Sequence, residues 1–313
     1  MAAEPPFERL ALIGIGLIGS SIARAARRGG LARHIACTAR SAASRQTALE
    51  LGIVDSIHDD PAACVAGADL VIVCSHLGTY DAIGRAMAPA LQADAIVTDV
   101  GSVKSCVFRD LGPHIPDGVH LIPGHPVSGT EKSGPTAGFA ELFDDRWWII
   151  TPGGDTDPAA IARLEGFVRG LGSRVELMDA ERHDLVLAIT SHLPHLIAYN
   201  IVATADDLET VTQGEVIKFS AGGFRDFTRI AASPPEFWRD VFLNNREAML
   251  EMLGRFTEDL VALQRAIRWG QGDSLLQLFT HARGIRQRII EAGQETDAPD
   301  FGRRPPAGGD GDD

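Results

Sequence analysis

Cysteine is scarce in this chain. The four present, Cys37, Cys64, Cys74 and Cys106, are scattered, and none forms a Cys-x-x-Cys. That spacing excludes a zinc ribbon and a disulfide framework and leads us to expect a reduced, cytoplasmic protein. The first residues, Met1 to Pro6, lack the basic and apolar regions of a secretory leader. No apolar run reads as long enough to cross a bilayer. Positive charge is in deficit, with 29 Lys and Arg against 42 Asp and Glu and a net charge of −13. Such a chain repels nucleic acid and anionic membranes, so neither is expected as a partner. An anionic ligand must instead be held by local basic groups or by helix N-termini. Strand patterns are missing too, but only from one half: beyond about residue 178 none is found.

What is present fits a two-part globular chain. Its 313 residues are 45% hydrophobic and 23% charged, enough for two sizeable cores. In the first part, short apolar runs alternate with helical patterns. Leu10–Ile13, His34–Cys37, Leu70–Val73, Ala95–Thr98 and Trp147–Ile150 suit buried strands. Their near-continuous apolarity fits a parallel sheet covered on both faces. Helical stretches such as Ile18–Arg28 and Ser41–Leu51 lie between them, giving repeated βαβ units. Asp157-Pro158 reads as a cap and first-turn proline of a helix ending near Leu171. After Ala180 come long helical patterns: 181–204, a segment around 209–219, 235–266 and 272–292. Ile189, Leu193, Leu196 and Ile197 form an apolar stripe, and Pro194 should kink that helix. The expected class is α/β: a doubly wound Rossmann-type sheet over 1–178, then an all-helical domain over 179–293. The Gly-, Pro- and Asp-rich tail 294–313 is expected to be disordered.

Four segments carry chemistry. The first, Gly14-Ile15-Gly16-Leu17-Ile18-Gly19, is a G-x-G-x-x-G that follows a strand and opens a helix, the context its mechanism requires. Gly14 permits the tight turn, Gly16 admits a pyrophosphate and Gly19 allows close packing. The first-turn amides around Leu17 and Ile18 face the phosphates. An acidic residue about 20 positions on would mark NAD. The sequence there is Cys37-Thr38-Ala39-Arg40-Ser41, with Arg45 beyond. Arg40, Ser41 and Arg45 suit a 2′-phosphate, so NADP is favoured over NAD.

The second segment, Asp99-Val100-Gly101-Ser102-Val103-Lys104, puts Ser102 at the sheet's C-terminal edge, both as an expected helix N-cap and as a reactive-site hydroxyl. The third, Gly124 to Gly134, offers His125 as its acid/base group, in what should be an irregular loop. The fourth is split. Ser191-His192-Leu193-Pro194-His195 sets two histidines at i and i+3 on one helix face. Gly222-Gly223-Phe224-Arg225-Asp226-Phe227-Thr228-Arg229 follows a glycine pair with two arginines suited to carboxylates. The carboxylate partners of a zinc hydrolase are missing, so no metal is expected.

Taken in order, Gly14–Ser21, Asp99–Lys104, Gly124–Gly134, Ser191–His195 and Gly222–Ala231 resemble the prephenate/arogenate dehydrogenase family of tyrosine biosynthesis, over residues 7 to 290. The resemblance implies a Rossmann domain, a helical domain that forms a homodimer, and NAD(P)-dependent oxidative decarboxylation of a cyclohexadienol. By resemblance, His125 would bond the substrate's ring hydroxyl and assist its deprotonation, with Ser102 orienting the same oxygen or the nicotinamide. Arg229 would bind a carboxylate, while His192, His195, Thr130, Glu131, Gly222 and Arg225 would line the pocket. Gly101, Cys74 and Ser75 would flank the cofactor. The family's proline-containing loop after the fourth strand is here Cys74-Ser75-His76-Leu77. Two other readings compete: a β-hydroxyacid dehydrogenase or imine reductase, and a non-catalytic NADP sensor. Neither accounts for Ser-His-Leu-Pro-His beside intact polar groups in all four segments.

Overall fold

A computed structural model describes residues 6–130, 132–212 and 218–291, with side chains of 209–212 excepted. Glu131, residues 213–217 of the 209–219 segment and the tail 294–313 therefore lie outside the described residues. By contact the chain forms two compact units, 1–246 and 247–313.

The first unit is built on β1 (Phe7–Ile13), whose apolar residues serve two cores. Leu10 and Leu12 face one side, Ala11 and Ile13 the other, because successive side chains of a strand alternate. β2 (Ala32–Thr38), β3 (Ser56–His58), β4 (Leu70–Val73), β5 (Ile96–Asp99) and β6 (His120–Leu121) join it in a parallel sheet of order 3-2-1-4-5-6. That is the doubly wound order, which reverses between β1 and β4 and opens a crevice at the strands' C-terminal ends.

Helices α1 (Leu17–Gly29), α2 (Ala42–Glu50), α3 (Pro61–Val65), α4 (Tyr80–Met87), α5 (Ser105–Asp110) and α6 (Pro158–Gly170) lie along the sheet's course. One core packs Ile22, Ala23 and Ala26 of α1 and Phe167 of α6 on Leu10, Leu12 and Ile35. The other packs Val65, Tyr80, Met87 and Val107 on Ala11, Ile13 and Val71. Burying each large apolar side chain contributes about 1.5–3 kcal/mol. Asp157 caps α6 by accepting from the Ala159 amide, with Pro158 in the first turn as expected.

Two expectations are corrected here. Trp147–Ile150 is not in the parallel sheet. It is β8 of a second sheet, antiparallel to β7 (Gly124–Pro126) and parallel to β9 (Arg174–Leu177). The supposed loop at Gly124 is therefore a strand at its start. The chain changes sheets at Pro123: the Ile122 amide still donates to Val97 O beside β5, while Pro123 O accepts from Thr151 N at the end of β8. Gly124 suits the new sheet because a Cβ on it would lie 2.7 Å from Trp148 Nε1.

The strand-free half begins with α7 (Ala180–Leu187), a π-turn (Ala188–His192) and α8 (Leu193–Thr212), run together. Pro194 has no amide to donate to the preceding turn, and the widened turn just before it absorbs that loss. By length and composition, 180–208 is long and apolar enough to cross a membrane, contrary to the sequence expectation. Yet it carries the buried polar residues His183, Asp184 and His192, bonded to the rest of the site. These are the marks of a helix that packs inside protein. Next come α9 (Gly222–Thr228) and α10 (Pro235–Asn244). The expected single helix over 235–266 is broken at Asn245 (φ −102°, ψ 35°), and α11 (Arg246–Arg268) starts afresh. α12 (Gly272–Glu291) closes the described chain with no residue buried.

Candidate active site

The glycine turn sits where β1 ends. Gly14 has φ +111°, and a Cβ there would lie 2.4 Å from the Cys74 carbonyl oxygen. Its amide donates to Thr38 O, which ties the turn to the end of β2. Gly16 is the N-cap of α1 and has no side chain to satisfy the helix's first amides. An ideal Cβ on Gly16 meets no atom within 4 Å. Free amides, the positive end of a helix and open space together fit a pyrophosphate. Ser75 Oγ donates to Ile13 O, so Cys74 and Ser75 do border this turn. The 2′-phosphate candidates divide. Arg40 is exposed, and Ser41 caps α2 by accepting from Ser44 N at 3.2 Å. Arg45 is nearly buried and already committed, donating to Ala39 O and pairing with Asp59.

A buried ion pair governs the second segment. Asp99, at the end of β5, and Lys104 are both fully inaccessible, and Lys104 Nζ donates to Asp99 Oδ2 and, at 2.7 Å, to Gly124 O. Asp99 also accepts from Tyr80 Oη (2.9 Å), Gly101 N (2.8 Å) and Gly124 N (3.1 Å). Burying such charges is costly unless they are paired and hydrogen-bonded, and here they are. Both main-chain groups of Gly124, the residue before His125, are held by this pair. Sequence reasoning passed over Asp99, Lys104 and Tyr80 as site-builders. The motif Asp99–Lys104 was visible, but its partner Gly124 lies in another segment.

Ser102 is not the cap of α5, as expected. That helix begins at Ser105, and its first amides, Lys104 N (2.7 Å) and Ser105 N (2.9 Å), donate to Asp184 of α7. Ser102 Oγ is shielded from solvent and has no partner, while the equally shielded His192 Nε2 has only the Ser102 main chain near it. His192 Nδ1 meets Asn245 Nδ2 at 3.1 Å, and Asn245 Nδ2 also donates to Asp184 O at 2.8 Å. Because that carbonyl can only accept, the amide orientation is fixed and His192 Nδ1 accepts. The His192 proton then sits on Nε2. Burial, with His183 nearby, pushes His192 down to about 4, so it is neutral at pH 7.

His125, on β7, is 8% exposed. Its Nδ1 lies 2.8 Å from His183 Nε2, and His183 Nδ1 lies 2.8 Å from Asp184 Oδ1. Burial first, and then the neighbouring His183, Lys104 and His192, hold His125 well below the usual histidine range. His195 donates Nδ1–H to Ser191 O (2.9 Å) and stacks on Trp238 at 3.6 Å between ring centroids. The aromatic partner was not foreseen. It reaches His195 from α10, 43 positions along the chain. Thr130 Oγ1 accepts from Lys132 N.

The Gly222–Arg229 segment contrasts with all this. α9 has no buried residue, and Arg225 Nε meets only its neighbour Asp226, at 3.4 Å, among the bonds resolved for it. Arg229 is exposed, with its charge felt by His195. His125 thus connects through His183, Asp184 and Asn245 to His192, and Trp238 joins His192 to His195, while Arg225 and Arg229 are exposed.

Fold and site together define an oxidoreductase of the dinucleotide-binding type. Models of the prephenate dehydrogenase nucleotide-binding domain and of its dimerization domain match residues 22–177 and 179–281. The chain belongs to the prephenate dehydrogenase family. It is 42% identical over 280 residues to a cyclohexadienyl dehydrogenase of Zymomonas mobilis, covering 90% of this chain and 95% of that one. A crystal structure of A. aeolicus prephenate dehydrogenase with hydroxyphenyl propionate and NAD+ matches with TM-score 0.84 and 32% identity, over 90% of this chain and 98% of that one. Synechocystis arogenate dehydrogenase matches with TM-score 0.77 and 26% identity, over 90% and 99%.

Proposed function

We propose that this chain oxidatively decarboxylates prephenate, arogenate or both, to 4-hydroxyphenylpyruvate or tyrosine, with hydride passing to NAD(P)+. The observation that carries the reading is a buried, neutral His125 held through Nδ1 by His183, with His192 near it and Ser102 Oγ shielded and unpartnered beyond the end of β5. An unpaired buried polar atom is costly, and a substrate oxygen would satisfy Ser102 Oγ.

The bound nicotinamide supplies the hydride acceptor, and the glycine turn with the first amides of α1 would hold its pyrophosphate. His125 accepts the proton of the ring hydroxyl through Nε2, and Ser102 orients the same oxygen. As hydride leaves the hydroxyl-bearing carbon, the ring carboxylate departs as CO2 and its bonding electrons complete the aromatic ring. The proton lent to His125 returns to the phenolic oxygen, so prephenate and the oxidised nicotinamide balance 4-hydroxyphenylpyruvate, CO2 and the reduced nicotinamide with no net proton. Aromatisation drives the carbon–carbon cleavage without a Lewis acid. Arg229 pairs with a substrate carboxylate, His195 reaches the substrate side chain, and His192, Thr130, Glu131, Gly222 and Arg225 line the pocket.

NADP remains the favoured cofactor, now on Arg40 and Ser41, since Arg45 is engaged. Gly101, Cys74 and Ser75 flank the cofactor. We assign residues 1–178 to cofactor binding and 179–293 to substrate binding and dimer formation. The dimer reading is supported by the matching dimerization-domain model and by exposed apolar residues such as Leu260, Val261, Leu276 and Phe279. Unpaired thiols, three of them buried, support a reducing cytoplasmic setting. The test is reduced-nicotinamide absorbance with each substrate paired with NAD and with NADP. Turnover of both substrates within a thousandfold of each other is expected. No turnover in any pairing, with cofactor bound, would sink the reading.

A further inference from the structure

The main-chain amides of Lys104 and Ser105 donate to the two oxygens of Asp184. Amide bonds to both oxygens favour the charged form, so Asp184 is a carboxylate. Although burial opposes ionisation, the bonds from His183 and from these amides hold it below the ordinary carboxylate range. The third donor to Asp184 must therefore be His183 Nδ1–H, at 2.8 Å. Burial keeps His183 neutral, only partly opposed by Asp184. A neutral imidazole protonated at Nδ1 presents a lone pair at Nε2. His125 Nδ1 lies 2.8 Å from that lone pair, so it must bring the hydrogen. His125 is thereby fixed with its proton on Nδ1 and its own lone pair on Nε2, the state a general base needs.

We propose that His183, anchored by Asp184, is a positioning residue that sets the tautomer of His125 and shares the proton His125 takes up. The proposal rests on the oxidative decarboxylation argued above and assigns a part of that reaction to two residues of α7. When His125 Nε2 accepts the hydroxyl proton, its Nδ1 proton can move 2.8 Å to His183 Nε2. His183 is then doubly protonated against the Asp184 carboxylate, and His125 is neutral again. The two transfers reverse as the phenolic oxygen recovers its proton. No proton is gained or lost, and no co-reactant is needed. The transfer moves the transient positive charge from a ring with no bonded anion to one bonded to a carboxylate, while Lys104 acts on both rings. The same carboxylate caps α5, so one residue ties the relay to the segment that carries Ser102 and Lys104.

The test combines a spectrum and two variants of the full-length chain. In 15N-histidine spectra of the wild-type protein near pH 7.5, His125 and His183 should both be neutral and protonated at Nδ1. His183→Leu removes the acceptor. His125 should then move towards the Nε2–H tautomer, and kcat should fall about a hundredfold with both KM values within threefold. His183→Gln keeps an acceptor for Nδ1–H but cannot take the proton. It should preserve the tautomer and recover part of the lost kcat, to within about tenfold of wild type. Finding His125 protonated at Nε2 in the wild type would overturn the proposal, even if the variants fail to fold. So would a His183→Leu enzyme with kcat within threefold of normal. A wild-type chain that turns over neither substrate, yet shows the Nδ1–H tautomer, would instead overturn the reaction assigned above.

Discussion

The two sides of this site are made differently. On the His125 side every group that positions the base is buried and bonded: Asp99, Lys104, Asp184 and His183 hold one another and the main chain of Gly124. On the arginine side α9 buries nothing, and the Arg225 side chain is 76% exposed. On the proposed function, folding would prepare the acid–base side in advance and leave carboxylate capture to exposed side chains. The division has a physical sense. Proton transfer needs geometry fixed to fractions of an ångström and a low dielectric. A flexible guanidinium can find a carboxylate after the substrate arrives, and an exposed ion pair before that is worth only about 0–1 kcal/mol.

The largest effect should come from breaking the buried side. Lys104→Met leaves Asp99 charged and uncompensated, and should cost about 3–5 kcal/mol of stability in urea unfolding. A loss under 1 kcal/mol would show that the pair does not hold Gly124 in place. His125→Asn comes next. It should cut kcat about a thousandfold, close to 4 kcal/mol in the barrier, with cofactor affinity kept. A near-normal kcat in that variant would remove His125 from its role.

Acid should then weaken the buried side selectively. His192 sits at about 4 in the fold against 6.5 unfolded, so between those values the unfolded chain binds more protons. Its contribution is present above pH 6.5 and fades as pH falls towards 4, amounting to about 2 kcal/mol between pH 7 and 5. His125 and His183, also lowered, act in the same direction. Unfolding midpoints unchanged over that range would contradict the neutral buried state of these histidines. The smallest effect is expected at the rim. Arg229→Gln should raise KM for substrate about tenfold, leaving kcat within threefold and stability within about 0.5 kcal/mol. A loss of kcat equal to that at His125 would erase the contrast between the two sides.

Much of this was legible in the chain itself, for local reasons. Strands β1, β2, β4 and β5 announce themselves by unbroken apolar runs, and the glycine turn by its place between strand and helix. Asp157-Pro158 caps its helix as its spacing requires. Trp147–Ile150 misled because an apolar run says that a strand is buried, not which sheet holds it. The irregular reading of Gly124 failed because glycine there serves Trp148, a contact made with a neighbouring strand that is distant in sequence. Ser102 looked like a cap because its type and position suit one. The cap actually used, Asp184, comes from 80 residues away.

The sequence by itself determined the doubly wound half, the helical half and the glycine turn, and it marked His125, Ser102, His192 and His195 as candidate reactive groups. All of these follow from short-range periodicity and from what single residue types can do. Only the tertiary structure decided that His125 meets His183, that Arg45 is spent on Asp59, and that Lys104 grips the strand carrying the base. Each of those is a hydrogen bond between segments distant in sequence, and its geometry exists only once the sheets and helices have packed.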